Sequence, residues 1–151
     1  MESNEEALAA AERAAVAPWI EQPATPWWYI PSFGLLMGAV VLILGERASM
    51  SSAWFALSAI AVVFLIGAWL GAVTAHQGVV PRLRSAPPEF VPVVRGYFVG
   101  YVLLLAMVVI VYLAADSRVA AVLAAVGTWI GLVVYEKRYT IAADAVRRRL
   151  T

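Results

Sequence analysis

The side chains able to do acid–base, nucleophilic or metal chemistry are few in this sequence. It has no cysteine, which excludes disulfides, thiol catalysis, iron–sulfur clusters and cysteine-ligated zinc. Its single histidine, His76 in "TAHQG", would ligate a haem only if two copies of the chain came together, and a solvated helix end is the simpler interpretation. Serine hydrolase, zinc and phosphate-loop patterns are missing as well. We therefore predict that the protein is not an enzyme and that it holds no metal or cofactor.

Two acidic residues close to arginines are the next candidates for chemistry. Glu46 precedes Arg47 in the connection "ERASMSS". Asp116 lies two residues before Arg118 in the connection "DSR". The acids either form a mouth for a cation or substrate, or belong to ordinary ion pairs of exposed loops, which contribute little to stability. No apolar stretch contains Lys, Arg, Asp or Glu, the residues that mark a proton or substrate path inside a membrane.

The composition predicts which elements carry these residues. Hydrophobic residues make up 63% of the 151 residues and charged residues 14%, whereas a soluble domain is about 45–50% apolar and about 25% charged. Four stretches are long and apolar enough to cross about 30 Å of hydrocarbon, and two of their connections are too short for anything but a tight reversal. We predict an all-α integral membrane protein whose four transmembrane helices form two antiparallel hairpins. The helices cover about residues 27–45, 53–75, 96–115 and 119–135.

The two tails are predicted to be helices of opposite charge. Residues 1–25 are predicted to comprise an acidic, amphipathic N-terminal helix and a Pro-rich linker. The helix is expected to end at Pro18, where the linker begins. Residues 136–151 continue the fourth transmembrane helix as a basic helix, because apolar residues recur there every three or four positions. The tails either pair with each other, within one chain or across a dimer, or lie apart with the basic tail on lipid head groups. The apolar stripe of the C-terminal helix consists of Tyr135, Tyr139, Ala142, Val146 and Leu150.

The basic residues are unequally distributed between the two sides of the predicted bundle. Nine of the eleven Lys and Arg residues lie in the two tails and in the connection between the second and third spans, whereas Arg47 and Arg118 lie in the other two connections. Because cytoplasmic segments carry the excess of Lys and Arg, both termini are predicted to be cytoplasmic. Ten arginines to one lysine, beside many alanines and valines, is typical of a GC-rich bacterial genome, so we predict a multi-pass protein of the bacterial inner membrane.

The connection between the second and third spans contains four prolines and three arginines. Because prolines prevent a long helix, we expect it to be partly extended, with Phe90, Val91, Val93 and Val94 dipping into the membrane interface. The segment either lies on anionic head groups or serves as a proline-rich docking segment for a partner. The residues predicted to contact lipid head groups or a partner, here and in the C-terminal tail, are Arg82, Arg84, Arg95, Arg147, Arg148 and Arg149.

Glycines recur in pairs, one pair in each span. Every span contains one Gly-x-x-x-Gly motif, and the four motifs hold eight of the ten glycines. Two glycines four residues apart leave a flat strip against which another helix packs closely, which is how membrane helices associate. The alternative is that glycine is simply common in membrane helices. The glycines predicted to pack helices are Gly34, Gly38, Gly67, Gly71, Gly96, Gly100, Gly127 and Gly131.

The depth of these glycines predicts a shape for the bundle. In the predicted orientation all eight lie in the cytoplasmic half, so we expect a bundle that is narrow there and wider toward the outer leaflet.

"GAWLG" and "GTWIG" share the pattern Gly-x-Trp-x-Gly, either by duplication of a two-helix half or by chance. Trp69 and Trp129 are predicted to fill the space beside these glycines, each with its indole N–H bonded to a backbone carbonyl or a hydroxyl.

Four short spans in a small chain resemble the topology of small multidrug transporters. That family depends on a glutamate inside its first helix, and the first span here, "WWYIPSFGLLMGAVVLILG", has no acid, so the resemblance implies no site.

We predict a membrane assembly or accessory protein, present as a homo-oligomer or in a larger membrane complex, whose partners are lipids and membrane helices and not nucleic acid or metal. The alternative is a small transporter, channel or lipid-binding protein that uses a wider outer half.

Overall fold

The computed structural model describes residues 2–21, 23, 25–77 and 86–150. Within these residues the protein is entirely helical, with five α-helices and no strand. A short 3-10 turn, Glu46–Ala48, joins the second helix to the third. The helices are α1 (Glu2–Ile20), α2 (Tyr29–Gly45), α3 (Ser52–Gln77), α4 (Val91–Ala114) and α5 (Ser117–Leu150).

Four of these helices are long and apolar enough to cross a membrane, which confirms the prediction of four spans by length and composition. Helix α5 is the exception in length, because its 34 residues extend over ~51 Å at a rise of ~1.5 Å per residue. A bilayer core is only about 30 Å thick. The C-terminal tail therefore continues the fourth apolar helix without a break, as predicted, and the last turns of α5 project beyond the span.

Local signals in the sequence explain where two of the helices begin. The hydroxyl of Ser51 accepts the backbone N–H of Trp54 at 3.4 Å, ahead of the first turn of α3. The carboxylate of Asp116 accepts the backbone N–H of Arg118 at 3.1 Å at the start of α5. That backbone bond holds the pKa of Asp116 below its usual range. A charged carboxylate at this position stabilises the positive end of the helix dipole.

Among the boundaries that differ from the sequence-based expectation, two involve proline. Helix α1 passes through Pro18 and ends at Ile20, so the prediction that Pro18 ends it is wrong. A proline removes only one hydrogen bond near a helix end, and the turn is held because Trp19 is buried, with 3% of its surface exposed. Helix α4 begins at Val91, five residues earlier than predicted, since Pro92 lies in its first turn, where a missing N–H is tolerated.

Helices α2 and α5 pack against each other in the centre of the bundle, and each of the other helices packs on one of these two. Helix α3 packs on α2, α4 packs on α5, and α1 packs on the last part of α5. Helices α2 and α5 run in opposite directions, because Gly34 lies beside Ala125 whereas Gly45 lies beside Ser117. We call the end of the bundle where α2 ends and α5 begins the loop end. The opposite end, where α1 lies against α5, is the tail end.

Candidate functional site

The first glycine motif lies where the backbones of α2 and α5 come close together. A Cβ atom at Gly34 would lie 2.7 Å from the carbonyl oxygen of Ala125, and a Cβ atom at Gly38 would lie 2.9 Å from the Cβ of Ala125. Real side chains do not approach that closely, so the two backbones meet only because these positions are glycine. Helix α5 contributes small residues to the same seam, because the buried Ala121 lies beside Gly38 through its carbonyl oxygen. Both helices thus present small residues, the pattern that lets membrane helices pack closely.

A ninth glycine, outside the four motifs, extends this seam to the loop end. A Cβ atom at Gly45 would overlap the Cβ of Ser117 and would lie 3.1 Å from the ring of Tyr112. Gly45 was not among the predicted packing residues, because no second glycine lies four residues before or after it. Gly45 follows Gly38 by seven residues, which is two helical turns and the same face of the helix. The close contact between α2 and α5 therefore continues to the loop end. The greater width expected for the bundle there stays a prediction.

The other three motifs do not form such seams within the chain. Apart from its chain neighbours and its own helix backbone, no described residue lies within 4 Å of a Cβ atom built at Gly67, Gly71, Gly100 or Gly131. The nearest atom to a Cβ at Gly96 is a guanidinium nitrogen of Arg138, at 3.5 Å. A Cβ at Gly127 would overlap the flexible end of the Leu104 side chain. The packing role of these six glycines stays a prediction, and for the four open ones a partner would have to come from outside the chain.

The glycines of α4 and α5 line a groove between these helices and do not form a close helix–helix contact. A cavity of about 210 Å³ lies between the two helices, in the tail-end half of the bundle. A second cavity of about 330 Å³ adjoins it and shares Val93 and Arg138. The open space is thus in the half that was expected to be narrow, because four glycines leave α4 and α5 without side chains to fill it. The groove is lined by Val93, Gly96, Tyr97, Gly100, Tyr101, Leu104, Gly127, Thr128, Gly131, Leu132, Val134, Tyr135 and Arg138.

The two deep tryptophans occupy different surroundings. The indole N–H of Trp69 donates to the Ser32 hydroxyl at 2.9 Å, and its ring stacks on Phe33 with centroids 4.7 Å apart. Trp69 thereby joins α3 to α2. Trp129 is 51% exposed, and its Cβ would lie 3.5 Å from a Cβ atom built at Gly34. That Trp129 fills the space beside its flanking glycines stays a prediction.

A cluster of apolar side chains, which we call the tail-end core, joins α1 to α5. The hydroxyl of Tyr139 donates to the backbone carbonyl of Trp19 at 2.8 Å. The ring of Phe90 lies between them, 5.1 Å from Trp19 and 4.8 Å from Tyr139 between centroids. Phe90 was expected in the membrane interface, but it is fully buried because α1 covers it. The buried members of the tail-end core are Val16, Trp19, Phe90, Val93, Ala142, Ala143 and Val146.

The six arginines predicted to contact lipid head groups or a partner have different surroundings in the structure. Arg147 pairs with Asp144 at 2.8 Å and donates to the backbone carbonyl of Ile20. Arg149 pairs with Glu89 at 2.9 Å, which ties the end of α5 to the turn before α4. Arg95 and Arg148 lie exposed on α4 and α5. Arg82 and Arg84 lie outside the described residues.

The two tails meet within one chain, and the contact that the described side chains make is mainly apolar. Val16 and Trp19 of α1 are buried against Ala143 and Val146 of α5. The side chains of most of the N-terminal acids lie outside the description. The tail-end core, rather than the opposite charge of the tails, therefore accounts for the contact that the structure describes.

The acids of the two loop-end connections take part in ordinary polar contacts. Glu46 accepts the hydroxyl protons of Ser117 and Ser49, each at 2.9 Å, and lies 3.5 Å from the guanidinium of Arg118. Arg47 instead lies over the ring of Phe55, 4.6 Å from its centroid. These contacts tie the two connections together, as the simpler interpretation of ion pairs in exposed loops expects. His76 lies exposed in the last turn of α3.

No protein-family model matches the chain, and neither a curated protein nor a solved structure is significantly similar to it. The described features that bear on function are the glycine faces of the helices, the groove between α4 and α5, and the tail-end core.

Proposed function

We propose that the protein is an assembly or accessory subunit of the bacterial inner membrane, built as two antiparallel hairpins of transmembrane helices. It associates with another membrane helix, of a second copy or of a larger complex, through the glycine face of α3. The observation that carries this proposal is the open strip at Gly67 and Gly71, where no described residue outside the backbone of α3 comes within 4 Å of either Cβ position. Among the described helices, α3 packs on α2 and makes no comparable contact with another.

The physical argument concerns what a glycine strip does on a peripheral membrane helix. A glycine inside a helix is less favourable than alanine by about 1 kcal/mol in water, because it loses more backbone freedom. In the α2–α5 seam that loss is offset by close packing, but no other described helix packs on Gly67 and Gly71. Large apolar side chains such as Val63 and Phe64 are exposed on α3 as well, and lipid accommodates them. The flat strip therefore marks the face of α3 that suits a partner helix.

The orientation proposed for the bundle puts the tail end in the cytoplasm. Both tails and the connection before α4 carry nine of the eleven Lys and Arg residues, and short cytoplasmic segments carry such an excess. A reporter fused after Thr151 should therefore behave as cytoplasmic, and one inserted at residues 49–51 as external. The opposite result for both fusions would place the tail end outside and contradict the assignment.

Substitution of Gly71 by leucine should weaken the association of the full-length protein without unfolding it. A branched side chain on the strip would hold a partner helix away, and overpacking of this kind costs roughly 1–3 kcal/mol. We expect the association constant to fall about tenfold or more, measured by single-molecule subunit counting in nanodiscs or by the yield of partners from the native host.

Ala72→Leu is the matched control for Gly71→Leu, because Ala72 is exposed at the same depth of α3 but on a different face. This variant should associate like the wild type. Equal association of wild type and Gly71→Leu, or equal loss in both variants, would contradict a docking role for the strip.

A further inference from the structure

The groove between α4 and α5 has the features of a site for a single lipid. Its walls are apolar, its length is set by the glycine pairs of both helices, and Arg138 stands at its tail end. We propose that it binds one anionic phospholipid, with an acyl chain along the glycines and the phosphate on the guanidinium of Arg138. This goes beyond the proposed assembly role and rests only on the placement of the bundle in a membrane.

The mainly apolar lining of the groove suits an acyl chain better than water. Leu132 and Thr128 are buried at its base, while Gly100 and Gly131 leave its mouth open toward the surroundings of the bundle. Ordered water needs two to four polar partners, and the apolar part of the groove does not provide them. A lipid chain fills such a space without losing any hydrogen bond.

The depth of Arg138 suits a head group. Arg138 follows the first residue of α5, Ser117, by twenty-one positions, which corresponds to ~32 Å along the helix at ~1.5 Å per residue. The hydrocarbon core is about 30 Å thick, so with Ser117 at one interface Arg138 lies at the other. Its guanidinium reaches across to α4, 3.5 Å from a Cβ position at Gly96. The phenol rings of Tyr97 and Tyr135 line the same part of the groove, and tyrosine is enriched at that depth.

The charge at this end favours an anion. Among the described side chains, no carboxylate lies within salt-bridge distance of Arg138. Glu89 is the acid that lines the adjoining cavity, and it is paired with Arg149 at 2.9 Å. A guanidinium presents parallel N–H donors that match the oxygens of a phosphate, and basic pockets between membrane helices bind anionic head groups on the cytoplasmic side.

Native mass spectrometry of the delipidated full-length protein, titrated with phosphatidylglycerol or phosphatidylcholine of identical chains, tests the proposal. One phosphatidylglycerol should bind more tightly than phosphatidylcholine. Arg138→Gln should weaken phosphatidylglycerol at least about fivefold, from the ~1 kcal/mol that one basic residue contributes near anionic lipid, and should remove the preference. Gly131→Leu should weaken both lipids, because its side chain enters the groove.

Two control variants separate this site from general effects. Arg118→Gln removes an exposed arginine at the loop end, and Ala106→Leu adds bulk to an exposed position of α4 outside the groove. Both should bind lipid like the wild type. Thermal unfolding of every variant shows whether it is folded, and Gly100→Leu replaces Gly131→Leu if the latter is not.

Three results would overturn the proposal. The first is equal binding of both lipids by the wild type, and the second is unchanged binding by Arg138→Gln or by a folded groove variant. The third is loss of self-association, with lipid binding intact, in Gly131→Leu, which would show that a helix of a second copy occupies the groove. Failure of the Gly71→Leu association test leaves this site unaffected, because the two faces lie on different helices.

Discussion

Gly38→Leu should prevent the four-helix bundle from forming, whereas the same substitution at Gly71 should leave the isolated chain folded. A Cβ atom at position 38 would lie 2.9 Å from the Cβ of Ala125 and 3.0 Å from the carbonyl oxygen of Ala121. Relief would require α2 and α5 to separate along the central seam, because backbone cannot move aside as a side chain can. We expect a loss larger than the roughly 1–3 kcal/mol typical of overpacked cores.

The measurement is the fraction of each variant that elutes as a monodisperse species in mild detergent, together with its thermal unfolding. Gly71→Leu is a sharp control, because it makes the same chemical change in the same type of motif. If both variants fold equally well, the α2–α5 seam is not the centre of the bundle. Gly38→Ala should fall between wild type and Gly38→Leu, since a methyl group requires a smaller separation of the helices.

Trp19→Ala should release α1 from α5 while the transmembrane bundle stays intact. Trp19 is 3% exposed and packs against Phe90 in the tail-end core, and truncation of a buried tryptophan to alanine costs about 3–5 kcal/mol. The N-terminal 20 residues should become sensitive to protease in the variant and remain protected in the wild type. The control is Trp27→Ala, because Trp27 is 87% exposed and contributes no comparable buried surface.

Salt dependence separates an apolar contact from pairing of opposite charges in the same assay. Exposed ion pairs are screened over about 8 Å at physiological ionic strength, whereas burial of apolar surface does not weaken with added sodium chloride in that way. Protection of the wild-type N-terminus should therefore persist at high salt. Release of α1 by salt alone, or unchanged protection in Trp19→Ala, would show that the acidic and basic tails are held by charge.

The membrane class, the number of spans and the C-terminal stripe follow from the sequence by itself. Lipid offers no hydrogen bonds to an exposed backbone, so an apolar stretch of sufficient length must be helical. The stripe from Tyr135 to Leu150 is a local property of a helix as well, and Ala142 and Val146 are buried as its period requires. Each of these features depends on residues close together in the chain.

The partners of the glycines were decided only by the tertiary structure. Gly34-x-x-x-Gly38 and Gly67-x-x-x-Gly71 are the same motif in two apolar helices, yet one lies against α5 and the other has no neighbour among the described residues of other helices. Gly45 joins the first seam although it belongs to no motif, and Phe90 is buried by a helix that lies far away in sequence. In lipid every apolar face is nearly equal in energy, so which helices meet depends on the fit of two distant surfaces and not on either sequence alone.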